Sequence, residues 1–202
     1  RPAVFHSFIR SRKRPAVEFQ SLQDSTDWNS TAGRDSASAI SRSLWARIST
    51  HGPFIHTAFS VGRQAENSII RMREVLDDVL EWIPGWEQRS HYRGLDGVVN
   101  VGSVQGGFPW RVSRTPNRTD LFLDIRVPPT KPMGVARREV LDYVRWLGER
   151  FPDYGVEGEI YVTAPGAEID EGHELVAAID QAHAEVFGER PGRDVTRWFS
   201  DA

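Results

Sequence analysis

Four short stretches of the chain alternate hydrophobic with polar residues, which is the pattern of a β-strand that buries one face. The clearest is TDLFLDIRV (119–127), in which leucine, isoleucine and valine occupy every second position. LWARIS (44–49) alternates in the same way, and VVNVGSV (98–104) and GEIYVT (158–163) are rich in residues that favour strands. We therefore predict four strands.

Three further segments repeat apolar residues at helical spacing, and they predict helices over about 65–82, 133–149 and 171–187. The apolar face of the first helix is formed by Ile69, Met72, Leu76, Val79, Leu80 and Ile83. The corresponding positions are Ala136, Val140, Val144 and Leu147 in the second helix, and Leu175, Ile179, Ala182 and Val186 in the third. Pro84 and Gly85 are expected to end the first helix.

The first six elements follow the order strand, helix, strand, strand, helix, strand. This order predicts the α+β class and a ferredoxin-like βαββαβ domain, with a four-stranded antiparallel sheet and two helices on one face. We assign this domain to residues 42–164, with 98–104 as an edge strand. Residues 1–41 lack periodicity and are predicted to be a poorly ordered lead-in, while 165–202 are assigned to a second, incomplete domain.

Composition and charge narrow the possible partners. The chain is 39% hydrophobic and 26% charged, its net charge is −3 and its pI is about 6.1. This balance argues against nucleic acid or an anionic membrane as the main partner, and no apolar run approaches the ~20 residues of a membrane helix. The absence of cysteine excludes disulfides, thiolate zinc sites and thiol catalysis. We expect a cytoplasmic protein, although the cysteine count does not fix the compartment.

The six histidines form no metal-binding motif in the sequence. The chain has no H-E-x-x-H, no His-x-Asp and no adjacent glutamates, and His51 and His56 are poorly spaced for shared ligation. The acidic segment EIDEGHE (168–174) opens a predicted helix, where carboxylates favour the positive end of the dipole. Nor is there a G-x-S-x-G nucleophile motif or a complete dinucleotide-binding loop. We therefore predict no metal site within this chain.

Several short motifs, taken together and in order, resemble one enzyme family. The segment GPFIHTAFSVGRQAENSI (52–69) is followed by GG (106–107), RTP (114–116), DIR (124–126) and SDA (200–202). This series is similar to the dinuclear-zinc amidohydrolases, which include acetylornithine deacetylase, succinyl-diaminopimelate desuccinylase, aminoacylase and glutamate carboxypeptidase. The matching signature positions are Gly52, His56, Thr57, Ala58, Gly62, Asn67, Ser68 and Ile69.

The resemblance implies a ferredoxin-like lid that forms a homodimer and interrupts an α/β catalytic domain. It also implies two zinc ions, with cobalt or manganese as alternatives, and an amino-acid-like substrate whose N-acyl or peptide bond is hydrolysed. The family's His-x-Asp and Glu-Glu ligand motifs are absent from this sequence. We therefore expect the chain to be a segment of a longer metallohydrolase, inactive by itself and without bound metal.

By the same resemblance, His56 is expected to stabilise the oxyanion in the active site of the partner subunit. The alternative is a turn histidine that caps the next helix. Arg126 corresponds to a family arginine that binds a substrate carboxylate, or else it pairs with Asp124 or a dimer partner. Asn67 is expected to contact substrate or to cap the first helix.

Three further positions are substrate-site candidates by resemblance. Gly106 and Gly107 are expected to let the backbone approach a ligand or partner, or else to form a tight bend. Asp201 is expected near the metal ions. Ser113 stands where relatives often have asparagine, which argues against an identical pocket.

Two other functions compete with a hydrolase fragment. One is a non-catalytic ferredoxin-like module that oligomerises or binds a small ligand. The other is an RNA-binding sheet, which would need exposed aromatic residues surrounded by basic charge. Phe122 and Tyr161 are the available aromatic candidates on the strands, and the acidic pI opposes this function.

Overall fold

The computed structural model of the chain describes residues 35–92 and 96–196. The strands are β1 (Asp35–Ile40), β2 (Arg42–His51), β3 (Val98–Gly106), β4 (Arg118–Val127), β5 (Glu157–Ala164), β6 (Ala167–Glu168) and β7 (Gly192–Thr196). The helices are α1 (Ser68–Arg89), α2 (Met133–Arg150) and α3 (Glu174–Phe187). None of these helices has the length and apolar content that crossing a lipid bilayer requires.

The principal sheet has four antiparallel strands in the order β3-β4-β2-β5. The central pair, β2 and β4, is in continuous register from Arg42 opposite Val127 to His51 opposite Arg118. β3 lies at one edge, as predicted, and α1 and α2 contact the sheet strands. The predicted α+β class and ferredoxin-like arrangement are therefore confirmed.

The core lies between this sheet and the two helices, and the alternation in the sequence identified its strand residues. The buried strand residues include Leu44, Ala46, Ile48, Leu121, Leu123, Ile125 and Val127. The buried face of α2 consists of the four predicted residues, Ala136, Val140, Val144 and Leu147. In α1, Met72, Val75, Val79 and Trp86 are buried, whereas the predicted core residues Ile69 and Leu80 are 43% and 51% exposed.

The predicted end of α1 at Pro84 and Gly85 is wrong, because the helix continues to Arg89. An interior proline removes one backbone hydrogen bond and disfavours the helix. Here the indole of Trp86, two residues after Pro84, is fully buried, and its Nε1 donates to Glu139 Oε2 on α2 at 3.0 Å. Lys131 Nζ lies 5.0 Å from the centre of the same ring. Burial of Trp86 therefore holds the last turn of the helix in place.

A second, smaller sheet joins segments from both ends of the described chain. β1 pairs antiparallel with β6 and parallel with β7, in the order β6-β1-β7. Residues 35–40 therefore form a strand, which corrects the prediction of a poorly ordered lead-in for that stretch, while residues 1–34 lie outside the described residues. The predicted domain boundaries stay a prediction.

The third helix begins at Glu174 rather than near residue 171. Its Val176 is buried, but the predicted apolar stripe is largely exposed to solvent: Leu175 is 53% exposed, Ile179 42% and Val186 74%. Within the described part of the chain, these side chains are therefore not buried in the core between the four-stranded sheet and helices α1 and α2. The periodicity identified the helix correctly and misjudged which of its residues are buried here.

Candidate functional site

The loops that follow β2 and β3 leave the same end of the sheet and pair with each other. This end is defined by His51 opposite Arg118 and by Gly106 opposite Thr119. Beyond it, His56 forms an isolated antiparallel bridge with Arg114. The backbone N–H of residue 57 donates to the carbonyl of residue 113 at 2.9 Å, and the N–H of residue 115 donates to the carbonyl of residue 55 at 2.9 Å. The loop that carries His56 is therefore held as a short two-stranded ribbon.

Thr115 fixes this ribbon from inside. Its side chain is buried, and its hydroxyl donates to the Pro53 carbonyl at 2.7 Å while it accepts from the Ile55 N–H at 3.1 Å. At the start of the loop, Gly52 lies so close to the backbone that an added Cβ would stand 2.1 Å from the Glu66 carbonyl oxygen. A glycine is required there because any side chain would collide with main-chain atoms.

The imidazole of His56 uses one of its two nitrogens for local structure. Its Nδ1 accepts a hydrogen bond from the Ala58 N–H at 3.2 Å and caps the one-turn 3₁₀ helix Thr57–Phe59. In a neutral imidazole one nitrogen accepts and the other carries the proton, so this contact places the proton on Nε2. Nε2 has no hydrogen-bond partner among the described residues. His56 therefore caps this short 3₁₀ helix and not the next predicted helix, α1, whose cap is Asn67, and Nε2–H is left as an available donor.

Exposed apolar side chains and two arginines surround this ribbon. Phe59 is 72% exposed, Trp110 82% and Val112 82%. The guanidinium carbons of Arg111 and Arg114 lie 6.0 and 5.6 Å from the centre of the Phe54 ring. Neither arginine forms an ion pair with any carboxylate in the described part of the chain.

Asn67 caps α1, which was one of its two predicted roles. Its Oδ1 accepts from the Ile69 N–H at 2.9 Å. The next residue, Ser68, is fully buried and donates to the Pro116 carbonyl at 3.0 Å, with its hydroxyl 2.9 Å from that of Thr119. The start of α1 is therefore anchored to the loop that precedes β4. A contact between Asn67 and substrate stays a prediction.

Gly106 and Gly107 form the bend where β3 ends. A Cβ on Gly106 would stand 2.4 Å from the Thr119 hydroxyl oxygen on the neighbouring strand. Gly107 has φ of +74°, in the left-handed region that favours glycine. Close packing against β4 therefore accounts for the glycine at 106, and the turn conformation accounts for the one at 107. A contact of either glycine with a ligand stays a prediction.

Arg126 does not lie near His56 within one copy of the chain. It is at the opposite end of β4 from Thr119, and seven residues of strand span about 23 Å. Its Nε and one terminal nitrogen both donate to Asp124 Oδ2, at 3.0 and 2.7 Å. Ser43 donates to the other oxygen of Asp124 at 3.0 Å. The predicted pairing of Arg126 with Asp124 is present, and carboxylate binding by Arg126 stays a prediction.

The remaining candidates do not add to the site. Asp201 lies outside the described residues. In the acidic segment before α3, His173 Nδ1 accepts from the Leu175 N–H at 3.1 Å and Asp170 accepts from the Gly172 N–H at 2.7 Å. These side chains form the start of the helix, as the structural interpretation of this segment predicted. No group of three histidine or carboxylate side chains suited to a metal ion occurs within the described ranges.

A polar network that the sequence did not reveal lies at the His56 end of the sheet. Asp120 accepts from the Ser49 hydroxyl at 2.6 Å and from Arg118 Nε at 2.7 Å. Burial alone would raise the pKa of Asp120, but the hydrogen bonds from Ser49 and Arg118 outweigh it and hold that pKa below the usual value. The carboxylate therefore stays ionised beneath the loops. The sequence analysis did not use the signal for this pair, which is that Arg118 and Asp120 are two residues apart on one strand and therefore share a face.

Solved structures of several hydrolases share the fold of this chain. The dipeptidase Dug1p from Saccharomyces cerevisiae superposes with a TM-score of 0.66 at 12% identity, over 86% of this chain and 46% of that chain. Human carnosine dipeptidase 1 gives 0.60 at 10% identity, over 83% and 46%. An amidase of the hydantoinase/carbamoylase family from Burkholderia multivorans gives 0.54 at 17% identity, over 82% and 38%. No protein-family model matches the sequence.

The resemblance predicted from the motifs is confirmed at the level of the fold. The similar structures are amidases and dipeptidases, in keeping with the amidohydrolase and metallopeptidase group to which the motifs pointed. The chain spans less than half the length of each of these three solved proteins.

Proposed function

We propose that this chain is the lid-bearing part of a metal-dependent amidohydrolase that cleaves an N-acyl or peptide bond in an amino-acid-like substrate. The observation that carries the proposal is the hydrogen bonding of His56: Nδ1 accepts from the Ala58 N–H, and Nε2–H has no partner among residues 35–92 and 96–196. The loop that carries the ring is held by backbone hydrogen bonds to residues 113 and 115. The shared fold with amidases and dipeptidases supports the same class of reaction.

In this proposal His56 donates its Nε2 proton in a hydrogen bond to the carbonyl oxygen of the bond that is cleaved. Negative charge builds on that oxygen as the tetrahedral intermediate forms, so the hydrogen bond strengthens in the transition state. A preorganised donor of this kind contributes about 2.7–4 kcal/mol to the lowering of the barrier. Because the ribbon and the Nδ1 contact fix the ring before substrate binds, little reorganisation is needed during the reaction.

The described residues do not fit a dinuclear metal site. They contain no cluster of three metal-ligating side chains, and the complete 202-residue sequence has neither His-x-Asp nor Glu-Glu. We therefore assign no step to the metal through residues of this chain. In this proposal the zinc ions, or cobalt or manganese, are bound by parts of the enzyme that this chain does not supply.

The proposed enzyme hydrolyses N-acetylated amino acids or dipeptides when the longest polypeptide encoded by the gene is assayed. We expect turnover that requires zinc, cobalt or manganese and stops when a chelator is added. The 202-residue chain by itself serves as the control and is expected to be inactive and to take up no stoichiometric zinc in dialysis. A full-length product that hydrolyses nothing in a broad panel of acyl amino acids would instead support the non-catalytic ligand-binding module.

A homodimer through the edge of the sheet is also proposed. The edge strand β3 lies next to α1: Glu87 Oε1 on that helix accepts from the Val99 N–H at 2.8 Å. Ile69 and Leu80 on the helix and Val104 on the strand are 43%, 51% and 47% exposed. An open strand with an adjacent apolar helix face can pair with the same surface of a second copy around a two-fold axis.

Sedimentation velocity tests this dimer with a charge placed in the stripe. The double substitution Leu80→Glu and Val104→Glu is expected to convert a dimer of the wild-type chain into a monomer, because two carboxylates from each copy would be buried at the interface. Val186→Glu introduces the same charge at an exposed apolar position of α3 and is expected to leave the dimer unchanged. A wild-type chain that sediments as a monomer at high micromolar concentration would contradict the proposal.

A further inference from the structure

We propose that a cleft between α1 and α2 binds a small organic cation, namely a primary ammonium group attached to an apolar body. The cleft is open to solvent and has a volume of about 470 Å³. Each helix supplies three of its lining side chains: Asp78, Glu81 and Trp82 from α1, and Tyr143, Trp146 and Arg150 from α2. None of these residues belongs to the ribbon that carries His56, so the inference does not depend on the proposed function.

Three stacked aromatic rings form the apolar part of the cleft. The Tyr143 ring stacks on the indole of Trp82, with ring centres 4.5 Å apart and an angle of 8° between the planes. It also stacks on Trp146, with ring centres 5.5 Å apart and an angle of 17°. Trp146 is 45% exposed, so part of this aromatic surface faces solvent. A surface of this kind suits the apolar body of a ligand.

Arg150 demonstrates that a cation packs against this aromatic surface. Its Cζ lies 5.4 Å from the centre of the Trp146 ring. Its Nε and one terminal nitrogen donate to the two oxygens of Asp78. A cation over the face of an indole is attracted by the negative potential of that face. The cleft therefore already holds one positive group by a ring and a carboxylate together.

The charge of the lining favours one further cation. Two carboxylates and one guanidinium line the cleft, and the guanidinium of Arg150 pairs with Asp78. Glu81 forms no ion pair within residues 35–92 and 96–196, and its side chain is exposed. One negative charge is therefore not neutralised by a direct partner. A ligand with a single positive charge is attracted here, and an anion is repelled.

The hydroxyl of Tyr143 is a hydrogen-bonding group that the described residues leave without a partner, and its oxygen is buried. A buried polar atom without a hydrogen bond is unfavourable, so a ligand group that bonds to it stabilises the complex. Burial and the nearby carboxylates of Asp78 and Glu81 raise the pKa of Tyr143, so the phenol stays neutral. Its oxygen can therefore accept from an ammonium N–H, which reaches it when the half-exposed Trp146 side chain shifts.

These features together select a primary ammonium compound. Its N–H groups can donate to Glu81 and to the Tyr143 oxygen at once, while its apolar body lies on the indoles. A quaternary ammonium would retain the charge but has no N–H for the phenol. The cleft volume of about 470 Å³ falls in the range of small-molecule sites, roughly 300–1,000 Å³, which favours a small ligand over a protein surface.

Titration of the 202-residue chain followed by NMR tests this site with three probes of similar shape. Phenethylamine, a cation at neutral pH, is expected to shift the indole N–H signals of Trp82 and Trp146 in a saturable manner. The neutral 2-phenylethanol is expected to bind about tenfold more weakly, and the anion 3-phenylpropionate is expected to give no saturable shift. Glu81→Gln is expected to weaken binding of the amine about fivefold and to leave the affinity for the alcohol unchanged.

Tyr143→Phe tests the phenol separately. It is expected to weaken binding of the amine without lowering the thermal stability of the free chain, because the hydroxyl makes no hydrogen bond that the substitution could remove. Glu189→Gln removes the same charge as Glu81→Gln at an exposed position after α3, and it is expected to bind all three probes as the wild-type chain does. Equal affinity for amine and alcohol, equal losses in Glu81→Gln and Glu189→Gln, or no saturable shift up to about 50 mM amine would each overturn the assignment. The measurement does not involve hydrolysis, so an inactive full-length protein would leave this inference intact.

Discussion

Replacing Trp86 with alanine is expected to lower the free energy of unfolding by about 3–5 kcal/mol, the range for truncation of a buried large aromatic residue. The substitution leaves a cavity between α1 and α2 and removes the hydrogen bond from Nε1 to Glu139. The last turn of α1 is also expected to unwind, because Pro84 disfavours the helix and the buried indole holds the residues that follow it. Chemical denaturation monitored by far-ultraviolet circular dichroism measures the change.

Trp110→Ala is the matched control for this experiment. That tryptophan is 82% exposed, and its loss is expected to change the free energy of unfolding by less than about 0.5 kcal/mol. Trp86→Phe retains most of the buried area and removes the Nε1 donor, so an intermediate loss is expected. If Trp86→Ala costs no more than Trp110→Ala, the end of α1 does not depend on this side chain.

The same residue shows where sequence patterns identify the fold and where they fail. Strands β2 and β4 were predictable because one of their faces is buried, so their hydrophobic residues recur at every second position. The end of α1 was not predictable, because Pro84 is a local stop signal and Trp86 is stabilised by Glu139 and Lys131, more than 40 residues away. Tertiary packing overrides the local helix propensity when side chains that are distant in the sequence bury a residue.

The small sheet escaped prediction for a related reason. In residues 35–40 (DSASAI) serine alternates with alanine only, and alanine is a weak indicator of a strand; their partners are residues 167–168 and 192–196. A strand held by pairing with two short, distant segments carries little signal of its own. The periodicity of α3 predicted the helix, but only contacts with the rest of the protein decide which face is buried.

Some residues of the candidate site could be identified from short sequence motifs, whereas others join it only through contacts between segments that are distant in the sequence. His56 and the cap at Asn67 were found because each belongs to a short motif. Arg114 and Thr115 were not identified as part of the His56 site, since the bridge between residues 56 and 114 and the contacts of Thr115 with residues 53 and 55 join segments about 60 residues apart. Arg126 was selected by motif order and family resemblance, and the sequence does not report that it lies at the end of β4 remote from the His56 loop.

Substitution of His56 by alanine is expected to lower kcat of the complete hydrolase by 10²–10³-fold, the loss that follows removal of one oxyanion donor. KM is expected to change little, because the hydrogen bond strengthens mainly in the transition state. Alanine also removes the Nδ1 cap of the 3₁₀ helix, so part of the loss could come from the loop rather than from the donor. Steady-state kinetics alone do not separate these two causes.

His56→Asn separates them. Asparagine is a favoured capping residue, so it can keep the contact with the Ala58 N–H and preserve the ribbon, but its shorter side chain lacks a donor at the position of Nε2. We expect His56→Asn to retain wild-type thermal stability and to lose kcat as His56→Ala does. His51→Asn is the histidine control, since His51 pairs with Glu157 at 3.1 Å at the end of β2, and its kcat is expected to stay within twofold. Wild-type kcat in His56→Asn would show that the imidazole has a structural role only.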